Sequence, residues 1–417
     1  MYTYKSNQKV LNMKNRPLYL DELLKYHDKN VIKVITGIRR CGKSSLLQLF
    51  ADKLKMLGIP AKRILQANFE SLQYDGMTYS ELYELVKQKT KGVKEKFYLF
   101  LDELQRVENW EKAVNSFQVD FNVDIYITGS NAYLLSSDLA TYLSGRYVEI
   151  KMLPLSFREF LDFHAFPSET PVETKFEHYL KYGGFPGLAE YEFDEKQITE
   201  VLEGIYSSAV LKDIYKRMEI RNSGLLDRVC RFFADNIGNT SSANKVAGVL
   251  EAEGNMPQAK KGVSANIVSS YVDALVNAFI FYRADRYDVK GKELLKALSK
   301  WYIVDMGFRN LLLGYRDADR GHILENIVYL ELLRRGYTVY IGKVGTKEVD
   351  FIALSQSEKL YIQVTETMLG EDTRKRELES LRKIPDNYPK MVLTLDRNFL
   401  DSEDGIEIRN LTDWLLA

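Results

Sequence analysis

A short segment near the N terminus has the residue types and spacing of a phosphate-binding loop. Residues 37–44 read GIRRCGKS and fit the pattern G-x-x-x-x-G-K-[ST] between an apolar strand and an apolar-periodic helix. Its glycines allow a tight turn whose backbone N–H groups point at phosphate oxygens. Lys43 adds a charge near the β- and γ-phosphates, and Ser44 offers a hydroxyl to Mg²⁺. The sequence therefore predicts a loop for ATP and Mg²⁺ made of Gly37, Ile38, Arg39, Arg40, Cys41, Gly42, Lys43, Ser44 and Ser45.

Two acidic residues end a second apolar strand. Residues 97–103 read FYLFLDE, and such a continuous apolar run is typical of a central parallel strand covered on both faces. A phosphate-binding loop needs a metal-side acid on a neighbouring strand, and Asp102 fits that position as a ligand of the Mg²⁺ shell. Glu103 is predicted to be catalytic, because it can polarise the attacking water as a general base or as an orienting group.

Two further segments carry candidate catalytic residues. Residues 123–131 read VDIYITGSN, and the carboxyl ends of parallel strands face the ligand crevice. Asn131, or Ser130 beside it, is therefore expected to contact the γ-phosphate or the attacking water; an ordinary strand-ending turn is the alternative. Arg146 precedes the strand at 147–153 and is predicted to act in trans on a neighbouring subunit's γ-phosphate. The alternative for Arg146 is a surface arginine in a local ion pair.

Composition limits the class of protein in which these residues act. With 417 residues, 45% of them hydrophobic and 28% charged, the chain predicts a globular protein of about two to four domains. The formal net charge is zero, which gives no overall sign of nucleic-acid binding but leaves a local basic face open. Two distant cysteines and four scattered histidines favour neither a disulfide framework nor a zinc site. We therefore expect a cytoplasmic protein without a signal peptide or a membrane span.

The order of these motifs is similar to that of a known family. After the GR dipeptide at 145–146, the chain reads LPLSFREF at 153–160 and YLKYGGFPGL at 179–188. Together with the loop and the strand acids, these segments resemble the AAA+ ATPases of bacteria and archaea, most closely a subgroup whose ATPase domain precedes a domain of unknown function. The resemblance covers nearly the whole chain. It implies ATP-site roles for Lys43, Ser44, Asp102 and Glu103, a sensor role for Asn131 or Ser130, and a finger role for Arg146.

The resemblance and the apolar periodicity together predict an α/β multidomain chain. A P-loop AAA+ parallel sheet is expected at 1–155 and a helical lid at 156–218. The break GGFPG at 183–187 is interpreted as a helix end and a hinge. Residues 219–315 are interpreted as a winged-helix domain with three helices and two strands, FIFYRADRYD and KWYIVDMG, joined by a polar wing.

The third helix of the winged-helix region, within KGVSANIVSSYVDALVNA, takes the position that enters a DNA groove. Its candidate DNA-contacting residues are Lys260, Lys261, Ser264, Asn266, Ser269 and Ser270. A structural or protein-docking role is the alternative, because this helix is not strongly basic.

Residues 316–417 resemble a nuclease of the PD-(D/E)xK, or restriction-endonuclease-like, α/β fold. The predicted order is helix, three strands, helix and a last strand, with Glu325 on the first helix and Asp350 in the strand EVDFIALS. An active member uses these two acids with a D/E-x-K strand to hold divalent metal ions. Here Gln363 and Thr365 stand where the acid and the lysine belong. We therefore expect a nuclease-like domain without nuclease activity.

The predicted activity is Mg²⁺-dependent ATP hydrolysis by in-line attack of water on the γ-phosphate. One use is an ATP-driven switch or motor that binds double-stranded DNA through the winged helix and the C-terminal domain. DNA should then stimulate hydrolysis in a salt-sensitive way. The alternative is a protein-interaction switch in signalling or defence, in which ATP changes the oligomeric state, and a minor alternative is a nuclease gated by ATP. A homo-oligomer is implied wherever Arg146 acts in trans.

Overall fold

The chain divides into two compact units, and the boundary falls between Met152 and Leu153. The computed structural model describes residues 14–135, 145–215, 223–252, 264–291, 293–316, 319–397 and 401–417. The predicted phosphate-binding loop and both strand acids belong to the first unit. The predicted lid, the helical region after it and the C-terminal strands belong to the second unit.

The first unit is built on a five-stranded parallel sheet. Its strands are β1 (Ile32–Thr36), β2 (Ile64–Asn68), β3 (Phe97–Asp102), β4 (Val123–Gly129) and β5 (Tyr147–Lys151). Its helices are α1 (Pro17–Lys25), α2 (Lys43–Met56), α3 (Tyr79–Thr90) and α4 (Trp110–Asp120). The strand order is β2-β3-β4-β1-β5, and every neighbouring pair is parallel. All carboxyl ends therefore lie at one edge of the sheet, where ligands bind in open parallel sheets.

The apolar runs of the sequence form the buried strands that they predict. Every residue of β3 is buried, as a central strand covered on both faces requires. Phe117 of α4 is fully buried in the same hydrophobic cluster as Phe97, Leu99 and Leu101 of β3. Helix α3 starts with a capping box, in which Thr78 and Glu81 each satisfy the other's backbone N–H group. The sheet that carries the candidate site is therefore fixed by ordinary core packing.

A buried ion pair joins β1 and β4 at the end of the sheet opposite the candidate site. The side chains of Lys33 and Asp124 are both buried, and the ammonium donates to the carboxylate. Burial lowers the pKa of Lys33, and the Asp124 carboxylate opposes that change. The same carboxylate accepts hydrogen bonds from the Tyr126 hydroxyl, at 2.8 Å, and from the Asp28 backbone N–H, at 2.9 Å. These contacts give Asp124 a structural role in holding the two strands together.

The second unit begins with the helices predicted by apolar spacing. They are α5 (Phe157–Phe163), α6 (Val172–Tyr182) and α7 (Glu195–Ser207), and a π-helical segment (Ser208–Tyr215) follows. Helix α6 ends at Gly183, whose φ is +79°. An added Cβ at Gly183 would lie 1.9 Å from Oδ1 of Asp305, and the Gly184 N–H donates to Oδ2 of Asp305 at 2.6 Å. Gly183 and Gly184 therefore pack closely against the side chain of Asp305, which leaves no room for a Cβ at Gly183.

Three helices and a short antiparallel sheet follow. The helices are α8 (Ser223–Asp235), α9 (Ala243–Ala252) and α10 (Ala265–Asn277), and they pack against one another. The strands are β6 (Thr240–Ser241), β7 (Phe281–Asp288) and β8 (Glu293–Ile303). Strand β8 pairs antiparallel with both β7 and β6.

The predicted bounds of the strand KWYIVDMG, residues 300–307, are wrong at both ends, because the observed strand β8 is Glu293–Ile303. Strand β8 already begins at Glu293, because the predicted polar link is the paired tip of the β7–β8 hairpin. Its last residues turn into helix α11 (Met306–Leu313), which the sequence reasoning did not predict. Asp305 is the N-cap of this helix, and its Oδ1 accepts the Gly307 N–H at 2.8 Å. A side-chain cap of this kind starts a helix where a strand pattern would continue.

The C-terminal region has the predicted order of helix, three strands, helix and strand. These elements are α12 (Arg320–Arg334), β9 (Thr338–Val344), β10 (Lys347–Leu354), β11 (Lys359–Thr365), α13 (Glu371–Arg382) and β12 (Lys390–Thr394). Three further elements were not predicted: β13 (Ser402–Glu403), β14 (Ile406–Asn410) and α14 (Leu411–Leu416).

One nine-stranded sheet runs through most of the second unit. Its order is β13-β14-β12-β11-β10-β9-β7-β8-β6, and the parallel pairing of β7 with β9 joins the hairpin to the C-terminal strands. The sheet therefore continues across the predicted domain boundary between residues 315 and 316. Among the helices of the described residues, none has both the length and the apolar character needed to cross a bilayer.

Candidate active site

The loop between β1 and α2 has a backbone that favours glycine at two positions. Gly37 has a φ of +152°, and an added Cβ would lie 2.1 Å from the carbonyl oxygen of Met152. Gly42 has a φ of +105° and is the N-cap of α2. Backbone of this kind is accessible to glycine at little cost. The loop therefore presents the start of α2, with its unpaired N–H groups and positive dipole end, at the carboxyl edge of the sheet.

Lys43 is the first residue of α2, and its side chain folds back over the loop. The ammonium donates to the carbonyl oxygens of Gly37, at 2.9 Å, and Ile38, at 3.0 Å. It also lies 3.8 Å from Oε1 of Glu103. A phosphate group would compete with two neutral carbonyls for this ammonium, and charge-assisted hydrogen bonds favour the phosphate.

Asp102 ends β3 in a network of oxygen atoms. Its Oδ1 accepts the Thr128 hydroxyl at 2.5 Å, and its Oδ2 accepts the Asn68 side-chain amide at 2.9 Å. The Ser44 hydroxyl is also hydrogen-bonded to this carboxylate. Burial raises the pKa of Asp102, and the hydrogen bonds from Thr128 and Ser44 oppose that change. The site thus holds a buried carboxylate that a bound cation would stabilise.

Glu103 follows Asp102 directly, yet its carboxylate reaches a different set of partners. The residue has a left-handed backbone with a φ of +54°, and its N–H donates to the Thr128 hydroxyl at 2.9 Å. Its Oε2 accepts the Gln105 side-chain amide at 2.5 Å and the Ser130 hydroxyl at 3.0 Å. Thr128 therefore fixes both acids, because its hydroxyl donates to one and accepts from the backbone of the other.

Ser130 and Asn131, the two candidates for contact with the γ-phosphate or the attacking water, follow β4 directly. Ser130 is buried and contacts Glu103, as described above, whereas Asn131 is the next buried residue along the chain. Thr128 and Gln105 were missed by the sequence reasoning. Thr128 stands in the quoted VDIYITGSN segment, so its position at a strand end was a usable signal, while nothing in the sequence singled out Gln105.

Arg16 is a further residue that the sequence reasoning missed. It is buried at the start of α1, and its Nη1 donates to the carbonyl oxygen of Cys41 at 3.0 Å. Because the carbonyl and the N–H of one planar peptide point in opposite directions, this contact turns the Gly42 N–H away from Arg16. Arg16 thus fixes one peptide plane of the loop from outside the motif.

Of the remaining loop residues, Ile38 and Cys41 are buried and Arg39 is partly buried. Arg39 donates to Oε1 of Glu70 at 3.2 Å, and Arg106 donates to the same oxygen at 2.8 Å. Partial burial alone would raise the pKa of Glu70, but the two arginines lower it. Arg40 and Ser45 are exposed.

Arg146 lies at the other edge of the sheet from Lys43. It immediately precedes β5, and its carbonyl oxygen accepts the N–H of Ile32, the first residue of β1, at 2.7 Å. Strand β1 has five residues, so its carboxyl end is about 16 Å away along the strand. The exposed side chain of Arg146 therefore belongs to the edge remote from the loop of its own chain. A role in trans stays a prediction.

The donor set fits the magnesium ion that such a loop implies. The Ser44 hydroxyl and the Asp102 carboxylate are hydrogen-bonded to each other, so the two predicted ligand groups already converge. Both are oxygen donors, which Mg²⁺ prefers, and Mg²⁺ characteristically uses few protein ligands beside water and phosphate.

Comparison with known proteins agrees with this geometry. A family model described as an AAA domain matches residues 29–161, and a model for a domain of unknown function, DUF8612, matches residues 173–319. The chain contains an AAA domain. It belongs to the same family as an uncharacterized protein of Haemophilus influenzae, which is 43% identical over 97% of this chain and 99% of that protein. An uncharacterized protein of Methanocaldococcus jannaschii is 31% identical over 93% of this chain and 89% of its own length.

Solved structures similar to this AAA-domain protein share little sequence with it. The Walker-type ATPase PABY2304 of Pyrococcus abyssi is 16% identical with a TM-score of 0.46, over 72% of this chain and 96% of that one. The ORC2 protein of Aeropyrum pernix, an ADPNP–ADP complex, is 12% identical with a TM-score of 0.39, over 76% and 92% of the two chains.

The C-terminal residues singled out in the sequence of this AAA-domain protein come together in one pocket. The pocket has a volume of about 650 Å³, and Glu325, Asp350, Gln363 and Thr365 all line it. They come from α12, β10 and β11, which are distant in sequence. The four positions singled out in the sequence therefore lie around one pocket, although their contacts differ from those of a metal site.

The exposed face of α10 carries no positive charge. The helix sequence, ANIVSSYVDALVN, contains no lysine or arginine, and Asp273 is exposed on it. Two of the predicted DNA-contacting hydroxyls are engaged locally: Ser264 caps the helix by accepting the Ile267 N–H, and Ser270 donates to the Ile267 carbonyl. Asn266 and Ser269 are exposed, while Lys260 and Lys261 lie outside the described residues.

Proposed function

We propose that this AAA-domain protein binds ATP with Mg²⁺ on the loop between β1 and α2 and hydrolyses it. The observation that carries the proposal is the Thr128 hydroxyl, which joins Asp102 and Glu103 next to the ammonium of Lys43. A metal-side acid, a water-orienting acid and a phosphate-binding lysine at one sheet edge are the parts that phosphoryl transfer to water requires.

Each side chain has a distinct task in this proposal. Lys43 exchanges its carbonyl partners for oxygens of the β- and γ-phosphates and stabilises the charge that develops there. Ser44 and Asp102 would hold the Mg²⁺ ion, which would supply positive charge against the phosphates. Glu103, held by Ser130 and Gln105, orients a water for in-line attack on the γ-phosphorus. The bond from the γ-phosphorus to the bridging oxygen then breaks, leaving ADP and phosphate.

Two substitutions test these tasks separately. Lys43→Ala should weaken ATP binding strongly in titration calorimetry, whereas Lys55→Ala, an exposed change on the same helix, should leave it unchanged. Glu103→Gln should bind ATP but hydrolyse it on the order of a hundredfold more slowly, while Glu108→Gln at an exposed position should keep the wild-type rate. Equal ATP affinity of Lys43→Ala and wild type would remove the loop assignment.

We further propose that the second unit contains a helical lid, a winged helix and a nuclease-like region. The order helix, strand, two helices and hairpin in α8, β6, α9, α10, β7 and β8 supports the winged helix. The order of α12, β9, β10, β11, α13 and β12 supports the nuclease-like region, and Gln363 and Thr365 support its lack of nuclease activity. ATP binding would change the arrangement of these parts and so act as a switch.

A protein partner fits this switch better than double-stranded DNA. The exposed face of α10 lacks the positive charge that phosphate contacts require, and it carries Asp273. The ATP-driven DNA switch or motor remains the second candidate, because Asn266 and Ser269 are exposed on the same helix. Assembly into a homo-oligomer is part of either candidate if Arg146 completes the site of a neighbouring subunit.

Hydrolysis rates with and without DNA decide between the two. Wild type and Lys43→Ala would each be measured with double-stranded DNA at low and high salt. A protein switch predicts the same rate with and without DNA. Stimulation that is lost at high salt and absent from Lys43→Ala would instead establish the DNA-dependent function.

A further inference from the structure

A lysine that no motif predicted lies behind the pocket of the nuclease-like region and contacts two glutamates that line it. Lys300 lies on β8, outside the nuclease-like sequence pattern, and is buried. Its ammonium donates to Oε1 of Glu325 at 2.9 Å and lies 2.8 Å from Oε1 of Glu348. Both glutamates line the pocket, together with Asp350. A positive charge is therefore built into the wall that holds the expected metal-binding acids.

Lys300 is in contact with two carboxylates at ion-pair distance, which favours its ammonium form. Burial alone would lower the pKa of Lys300, but Glu325, Asp350 and Glu348 raise it. Burial likewise opposes the ionised form of Glu325, and Lys300 is the main group that lowers the pKa of that carboxyl. Oε1 of Glu325 also accepts the Tyr302 hydroxyl at 2.5 Å. Oε1 of Glu325 thus already has two donors.

Gln363 and Thr365 do not fit a metal ion either. Oε1 of Gln363 accepts the Asp350 N–H at 3.3 Å and the Ser380 hydroxyl at 3.4 Å. Its amide donates to Oε2 of Glu377 at 2.8 Å, which fixes this orientation. An amide oxygen with two donors offers no lone pair to a cation. Thr365, at the position of the missing lysine, donates to the Thr367 carbonyl at 3.2 Å.

We propose that the ammonium of Lys300 is the resident cation of this pocket and takes the place of the divalent metal. The pocket then has the acids expected of a nuclease site, with a positive charge supplied by the chain itself. Removing one partner of a buried, hydrogen-bonded ion pair leaves an uncompensated charge, and the remaining carboxylates must find another cation. Loss of Lys300 should therefore create a metal site in the pocket. This inference is independent of ATP hydrolysis.

The test is Mn²⁺ binding to the nucleotide-free, full-length protein. Lys300→Met should acquire one Mn²⁺ site on the order of tenfold tighter than any binding by wild type, measured by calorimetry and by the rise of the unfolding temperature with Mn²⁺. Lys347→Met is the matched control. Lys347 lines the same pocket but is 38% exposed and pairs with Glu379 at 3.0 Å, so its loss should create no site. Asp350→Asn added to Lys300→Met should abolish the new site.

Three results would overturn the inference. The first is a Mn²⁺ site in wild type that Asp350→Asn removes, and the second is Mn²⁺ binding by Lys300→Met no tighter than by Lys347→Met. The third concerns folding: if Lys300→Met is unfolded without metal, Mn²⁺ should restore its circular dichroism spectrum, and failure to do so counts against the proposal. Lys300→Arg, which keeps the charge, should behave as wild type in all of these measurements.

Discussion

Replacing Gly37 with alanine should damage the nucleotide site far more than the same change at Gly58. Gly58 has a φ of +91°, and an added Cβ there would meet no atom within 4 Å. Its replacement therefore costs only the strain of a left-handed backbone, about 1 kcal/mol. The smaller entropy of the unfolded alanine chain offsets part of that cost, roughly 0.4–1 kcal/mol. Gly58→Ala thus measures backbone strain without steric overlap.

At Gly37 the added methyl group also overlaps with the neighbouring backbone. Its Cβ would lie 2.1 Å from the Met152 carbonyl oxygen, whereas ordinary contact begins at 3.4 Å, so the two atoms must separate by about 1.3 Å. Overpacking of this kind costs about 1–3 kcal/mol, which adds to the strain and gives a total of about 2–4 kcal/mol. The displaced loop also carries the groups proposed to bind phosphate. A shift on the order of 1 Å in such groups costs about a hundredfold in function.

Urea unfolding and titration calorimetry with ATP measure the two effects separately. Gly37→Ala should lower the free energy of unfolding by about 2–4 kcal/mol and weaken ATP binding by roughly a hundredfold. Gly58→Ala should change stability by less than about 1 kcal/mol and leave ATP binding unchanged. Wild-type ATP affinity in a folded Gly37→Ala protein would refute the reasoning, because the loop would then bind no phosphate or would not pack against Met152.

Three further predictions concern residues that the sequence did not single out as site residues. Arg16→Met should weaken ATP binding about tenfold in calorimetry, because the Cys41 carbonyl loses a charged donor, and Arg16→Lys should retain part of the affinity. Asp124→Ala should cost about 3–5 kcal/mol in urea unfolding by leaving the Lys33 ammonium buried without its carboxylate, whereas Lys33→Met should cost less. Burial raises the pKa of Asp305 to about 7 from its ordinary 3.8, so its contribution to stability is present at low pH and lost as pH rises through 7. The loss amounts to at most about 4 kcal/mol, and the unfolding of Asp305→Asn, measured from about pH 4 to pH 8, should lack this slope.

The parts of the fold that could be predicted are those with a local signal. The run FYLFLD specifies a buried strand by itself, and glycines flanking a lysine specify a loop before a helix. Helix α11 was missed because its start depends on Asp305, whose carboxylate must both cap the helix and accept the Gly184 N–H. The second contact joins residues 121 positions apart, and no periodicity in the sequence reports it.

Contacts between residues distant in sequence also limited the prediction of the ATP site and of the C-terminal pocket. Asp102 and Glu103 could be predicted because they end their own strand, but Thr128 acts on them only because β4 lies beside β3. Lys300 of β8 was missed because its partner, Glu325 of α12, belongs to a different region of the sequence. The two residues come together because β7 pairs with β9 and joins the two regions into one sheet. A residue pattern can therefore show which acids are present, but which cation they meet is decided by strand order.

The two carboxylate oxygens of Glu103 have different partners, and the proposed mechanism gives them different roles. Oε2 is anchored by Ser130 and Gln105, so the carboxylate has a fixed direction before any ligand binds. Oε1 faces Lys43 at 3.8 Å, which is an ionic contact longer than a hydrogen bond. When phosphate draws the ammonium away from this region, Oε1 loses its nearest positive charge and becomes the stronger acceptor for a water. Nucleotide binding itself would thus prepare Glu103 for its task, because one lysine serves both the phosphate and the acid.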